Sequence, residues 1–260
     1  IARDRAADRR TPKKIIAALF NPMRAAVAQA ASEKPQASLA LLEQALRRKD
    51  LQLWSRDDQV QAALRRLGVT GEMSRATGDY LSVVISNVAG GKTDRAVLTA
   101  LDQQTLISAD GLAQTTLQIK RTHTGARGDP QTGLRNVAYL RVYVPQNARL
   151  IEATGFTPPP DYLFENPSAA LEPDPQVRVS ETSRIIDAAS RTEIWQENGK
   201  TVLGNWLIVD PGKEQSATLR YAVPLTYKDR LLPYRLMIEP QAGARVSLQS
   251  RISSSEELGF

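Results

Sequence analysis

Val137-Ala138-Tyr139-Leu140-Arg141-Val142-Tyr143-Val144 decides how this chain folds. Apolar and polar residues alternate through it, and Pro145 stops it. Successive side chains of a strand point to opposite faces, so a period of two describes a strand with one face buried and one wet. A helix of this length would show apolar residues three and four apart instead.

Working outward, the same rhythm begins after Gly78. Tyr80-Leu81-Ser82-Val83-Val84-Ile85 reads as a buried strand, and residues 111–122 alternate more loosely around Leu112, Leu117 and Ile119. Further strands are expected at 149–153, 177–179, 191–196, 201–209, 217–223, 234–238 and 245–252. About ten short strands separated by turn residues are the signature of an antiparallel sandwich or barrel. Asn198-Gly199 is the pair favoured in two-residue hairpins, because both central residues tolerate positive φ. Asp110-Gly111 and Pro211-Gly212 mark two more turns. Pro158-Pro159-Pro160 and the stretch from Pro167 to Pro175 read as a long surface loop between two groups of strands.

The first 67 residues have a different period. Ile15, Leu19, Met23, Val27 and Ala30 recur at helical spacing, as do Leu39, Leu42 and Leu46. Thr11-Pro12 and Asn21-Pro22 each resemble a cap followed by proline at the first helical position, so Asn21-Pro22 is either a kink or a boundary. Leu51 to Trp54 reads as a short extended piece. Asp57 or Asp58 can cap a helix carrying Val60, Ala63, Leu64 and Leu67, with Gly68 as a left-handed stop. The expected class is therefore α+β: a helical segment over 1–72, the tail of an upstream domain, then an immunoglobulin-like antiparallel β-sandwich over 73–260, with a split into sub-units near 157–176.

Composition narrows the chemistry. The 260 residues are 42% hydrophobic and 24% charged, ordinary for a chain with a proper core. With no cysteine, disulfides, thiol nucleophiles and Cys-ligated metals are excluded. With one histidine, His123, a multi-His metal site is excluded too, and no metal or other cofactor is expected. No apolar run is long enough to span a bilayer. The net charge of +6 is concentrated in residues 1–66, where fourteen Lys/Arg stand against seven Asp/Glu. Solvated helix faces account for that excess, and no nucleic-acid partner is expected.

Asn87, Gly90, Gly91, Lys92, Thr93 and Asp94 gather polar groups and glycines between two strands. Gly90-Gly91-Lys92-Thr93 looks like a phosphate loop, but that loop needs glycine where Ser86 stands, and a strand-like segment follows in place of a helix. Two readings remain. One is a ligand pocket with Lys92 as donor and Asn87 or Asp94 orienting it. The other is a turn with a Lys92–Asp94 surface pair. His123, at a strand end, is a candidate general base or a satisfied structural histidine, and no nucleophile elbow accompanies it. Trp54, Trp195 and Trp206 are far apart in sequence and suggest no stacking platform.

Taken together, Leu51-Gln52-Leu53-Trp54, Gly78-Asp79-Tyr80-Leu81, the string from Asn87 to Asp94, Arg121-Thr122-His123-Thr124 and Tyr139 to Pro145 resemble the bacterial family labelled "domain of unknown function 4012". Gly204-Asn205-Trp206 to Pro211-Gly212, Thr218 to Pro224 and Gln241-Ala242-Gly243 extend the resemblance over most of the chain. It implies an exported bacterial protein whose membrane anchor lies upstream of Ile1, and it assigns no catalytic residue. The expectation is a non-enzymatic extracellular module at the cell surface, binding envelope components or copies of itself. The alternative is an enzyme or accessory factor acting on surface polysaccharide through Lys92, Asp94 and His123.

Overall fold

The computed structural model describes residues 14–88, 91–165, 168, 170–172, 174–225 and 234–255. It divides the chain into two compact units, 1–71 and 72–260.

In the first unit, α1 (Lys14–Glu33), α2 (Pro35–Arg47) and α3 (Asp58–Arg66) are helical. Asn21-Pro22 interrupts nothing, since α1 runs through Pro22. The break falls at Lys34-Pro35 instead, where proline occupies the first turn of α2 and costs no intrahelical bond. Asp57 is the cap of α3, its carboxylate accepting from the amides of Gln59 (2.9 Å) and Val60 (3.0 Å). Gly68 follows at φ +69°, the expected left-handed stop. The expected Thr11-Pro12 cap lies outside the described residues. Leu19, Met23 and Val27 on α1 and Leu39 on α2 are exposed.

The second unit is built on two mixed sheets, with eleven strands among the described residues. These are β1 (Asp79–Asn87), β2 (Val97–Ile107), β3 (Leu112–His123), β4 (Asn136–Pro145), β5 (Arg149–Thr154), β6 (Ile185–Ile186), β7 (Glu193–Glu197), β8 (Lys200–Val209), β9 (Glu214–Pro224), β10 (Leu236–Ile238) and β11 (Val246–Ser254). One sheet runs β10-β1-β4-β8-β7-β6 and the other β11-β2-β3-β9-β5. The decisive strand β4 is central, antiparallel to β1 on one side and β8 on the other. Asn198 (φ +51°) and Gly199 (φ +67°) form the β7–β8 hairpin, and Gly111 and Gly212 turn β2 into β3 and β8 into β9.

Two departures from the sequence reading stand out. The sheets are not purely antiparallel: β10 runs parallel to β1, and β11 parallel to β2. Both are edge strands, where a ladder is needed on one side only. Second, 177–179 is not a strand but part of α4 (Pro175–Thr182). Asp174 accepts from the amides of Gln176 and Val177, and Pro175 fits the first helical position, so the cap outweighs the Val-x-Val alternation. In addition, β2 is a full strand of eleven residues, which the sequence marked only as strand-like.

One apolar cluster draws on both sheets, making the unit sandwich-like. Leu81, Leu140 and Leu203 come from the first sheet, and Leu101, Leu117 and Leu219 from the second. Truncating any of these leucines to alanine would cost about 2–5 kcal/mol, depending on how far the site collapses. The inward row of β3 reads Ala113, Thr115, Leu117, Ile119, Arg121, His123, so the core becomes polar toward one end.

Candidate functional site

That polar end holds the glycine-rich connection between β1 and β2. Asn87, the last residue of β1, donates its Nδ2 hydrogens to the Gly91 carbonyl (2.9 Å) and to Thr93 Oγ1 (3.0 Å). Thr93 and Asp94 open a single 3-10 turn, Thr93–Ala96, that leads into β2. Asn136, the first residue of β4, donates to Thr93 Oγ1 (2.9 Å) and Asp94 Oδ1 (2.8 Å). The buried guanidinium of Arg121 donates to Asn136 Oδ1 (2.7 Å) and to Asp94 Oδ1 (3.3 Å). Burial pulls Arg121 below its ordinary pKa, and the Asp94 carboxylate opposes that shift. A guanidinium stays charged regardless, so its burial requires partners of this kind.

The expected Lys92–Asp94 pair is therefore corrected. Lys92 is exposed, and Asp94 pairs with Arg121. Gly90 lies outside the described residues. His123 is 1% exposed and spends both ring nitrogens on backbone: Nε2 bonds the Leu134 carbonyl (3.0 Å) and Nδ1 accepts from the Gly125 amide (3.1 Å). This pattern assigns the proton to Nε2 and leaves no lone pair to take a proton from a substrate. The structure joins Asn87, Gly91, Thr93 and Asp94 directly or through Asn136, whereas His123 makes no hydrogen bond to Asp94 or Lys92 among the described residues.

Asp94 and Arg121 line a cleft of about 490 Å³ with Arg95, Gln241 and Arg245. Its far wall is the turn at Gln241, whose side-chain amide mimics a strand. Gln241 Oε1 accepts from the Ile85 amide (2.8 Å) and Nε2 donates to the Ile85 carbonyl (3.0 Å). The cleft's charged lining mixes signs: Arg95, Arg121 and Arg245 stand with Asp94. Arg121 and Asn136 were not among the sequence candidates. The available signal was an arginine in phase with Leu117 and Ile119, at a position that alternation turns inward.

A second polar cluster explains Gly78-Asp79-Tyr80. Added at Gly78, a Cβ would meet the Arg235 carbonyl oxygen at 2.6 Å, so glycine permits the close approach of β10. Asp79 is buried and accepts from the Tyr80 amide and the Tyr234 hydroxyl. Burial pushes its pKa above the usual carboxylate range, against the lowering effect of those two bonds. Tyr80 donates to Glu239, and Lys200 lies 4.5 Å over the Tyr80 ring, its ammonium pulled below the ordinary pKa by burial. These groups tie β10 to β1 and β8.

Among the described residues no group of three acidic or histidine side chains could hold a metal ion, and no helix is long and apolar enough to cross a membrane. Fold and site together define a two-sheet α+β module with buried, hydrogen-bonded polar groups at the ends of its core. No protein-family model and no curated protein matches the chain. Among solved structures it is similar to a mutant M1 zinc metallopeptidase from Deinococcus radiodurans bound to a Tyr-Ser-Ala substrate. That similarity is 14% identity over 54% of this chain and 23% of the other, with a TM-score of 0.24. A likeness of that size carries no argument.

Proposed function

We propose that residues 72–260 form a non-catalytic binding module of an exported bacterial surface protein, engaging envelope components or further copies of the chain. One observation carries the reading: Thr93, Asp94, the Asn87 side-chain amide nitrogen and His123 spend their hydrogen bonds on neighbouring protein groups, and exposed Lys92 stands outside that network. Asp94, Thr93 and Asn87 are held by one another, by Asn136 and by Arg121, and His123 is held by backbone. Such a network ties Asn87, Thr93 and Asp94 to β3 and β4 and leaves the His123 ring no lone pair for proton transfer. The facing sheets are read as an immunoglobulin-like sandwich with parallel strands added at its edges. The resemblance to the "domain of unknown function 4012" family supports the extracellular setting.

The test is co-sedimentation of the purified chain with isolated bacterial envelope material, alongside light scattering for self-association. Saturable co-sedimentation or a defined oligomer supports the reading. A chain that stays monomeric and leaves the envelope fraction empty overturns it.

A further inference from the structure

The outer face of the six-stranded sheet has an aromatic pocket that none of the sequence motifs anticipated. Tyr139 on β4 is in register with Trp206 on β8, and Arg141 with Gly204, which also pairs with Glu193 on β7. Period two puts all of these on the face opposite Leu140 and Leu203. Gly204 leaves a hollow at the centre. A Cβ there would collide with Tyr139 Oη and meet the Trp195 ring at 2.7 and 2.9 Å, so glycine lets both rings lie over the sheet. Trp195 and Trp206, eleven residues apart in sequence, thus line one shallow pocket of about 590 Å³. The separation in sequence hid a cross-strand neighbourhood, and the expectation of no platform is corrected. Tyr139 and Trp206 meet edge to face, with centroids 4.9 Å apart.

The pocket's polar groups are fixed in place. Glu197 holds the Trp195 indole N–H (3.0 Å) and the Tyr143 hydroxyl (3.1 Å). Glu193 holds Arg184 (2.6 Å), whose guanidinium lies 4.8 Å from the Trp195 ring centroid. Both carboxylates are thereby engaged. On the donor side Arg141 is left over: it lines the pocket and has neither an ion pair nor a hydrogen bond among the described residues. Arg184 Nε and Tyr139 Oη are buried without a hydrogen bond of good geometry, the hydroxyl lying beside the Glu193 carboxylate. A guanidinium that lines a pocket without a counter-ion is ready to pair with an anionic ligand.

We propose that this pocket binds an acidic saccharide, a uronic-acid-bearing glycan, with a sugar ring against Trp206 and its carboxylate on Arg141. Apolar C–H faces of a sugar suit the aromatic wall. Its hydroxyls suit planar guanidinium and carboxylate groups, and its carboxylate pairs with Arg141. The volume accommodates one or two sugar rings. This deepens the envelope-binding reading, on which it rests, by naming the ligand class and the surface.

Tryptophan fluorescence and calorimetry on the full chain test it, with oligogalacturonate, oligomannuronate and hyaluronan fragments as probes and carboxyl-reduced oligogalacturonate as the neutral control. The expected result is saturable binding of at least one acidic probe, with the neutral control at least tenfold weaker. Arg141→Ala and Trp206→Ala should each weaken binding at least tenfold, whereas Arg245→Ala in the separate cleft leaves it unchanged. Melting curves exclude loss of folding, and Arg141→Lys, which keeps charge without the planar fork, should recover part of the affinity. A blank with all three acidic probes, equal affinity for the neutral control, or Arg141→Ala and Trp206→Ala binding like wild type overturns the proposal. Envelope co-sedimentation separates the two failures: a Trp206→Ala chain that still sediments fully sinks the saccharide pocket alone, while a wild-type chain that does not sediment sinks envelope binding itself.

Discussion

Gly204→Ala is the sharpest probe of how the outer face is packed. The new methyl group would meet Trp195 ring atoms at 2.7 and 2.9 Å and collide with the Tyr139 hydroxyl. Neither ring yields freely: Trp195 is nearly buried and its indole N–H is held by Glu197, while Tyr139 is wedged against Trp206. Overpacking of this kind costs about 1–3 kcal/mol. The substitution also narrows the unfolded ensemble, which returns about 0.4–1 kcal/mol. The net is a destabilisation of about 1–2 kcal/mol, or a melting temperature lower by about 2–8 °C for a unit of this size. Calorimetric or CD melting reads it directly, and near-UV CD should change because the Trp195 environment is displaced. Tyr139→Phe removes the nearest colliding atom, so the double variant should regain at least ~0.5 kcal/mol relative to additivity. A Gly204→Ala chain that melts with wild type, or strict additivity in the double variant, would refute the reasoning.

Three other outcomes follow from the same structure. Arg121→Met strips the donor from Asn136 and Asp94, and because Asp94 is half exposed the loss should be about 2–3 kcal/mol by urea denaturation, below the full cost of breaking a buried pair. Asp57→Ala removes the cap of α3 and should weaken that helix by about 1 kcal/mol, seen as faster amide exchange at Gln59 and Val60. Asp79 has its folded-state pKa raised above the unfolded value of about 3.9, so its contribution to stability is greatest below that value and is lost as pH rises through the folded pKa. Asp79→Asn, always neutral, should therefore gain on wild type between pH 4 and pH 7, and denaturation midpoints at the two pH values check the sign.

Much of the architecture was legible because burial imposes a period. β4 shows it cleanly, since every second residue faces the core, and Asn198-Gly199 declares its hairpin through the positive φ that both residues tolerate. Pairing partners were not legible. Alternation says which face a residue occupies but not which strand lies beside it, so the parallel placement of β10 and β11 left no mark on the sequence. Local signals misled in two places: Asn21-Pro22 looks like a cap but lies inside α1, and Val177-x-Val179 reads as a strand until Asp174-Pro175 is weighed as a helix start. For the site, Asn87 through Asp94 was found as a cluster, but its true partners Arg121 and Asn136 come from β3 and β4, contacts that only the tertiary fold creates. The outer pocket was missed for the same reason, because cross-strand neighbours such as Tyr139 and Trp206 are 67 positions apart in the chain.

The placement of β11 also bears on how quickly this unit can reach its native state. Arg251 grips Asp102 across 149 residues of chain, and the whole β11–β2 ladder closes loops of similar length. Such closures must be made before their contacts return any free energy, so assembly of this sheet should be slow beside that of the β2–β3 hairpin, whose partners are close neighbours in sequence. Until β11 arrives, one edge of β2 stands open along the nine residues from Thr99 to Ile107 that β11 pairs with, which makes the nascent chain, more than the finished one, the species prone to pairing with the wrong strand.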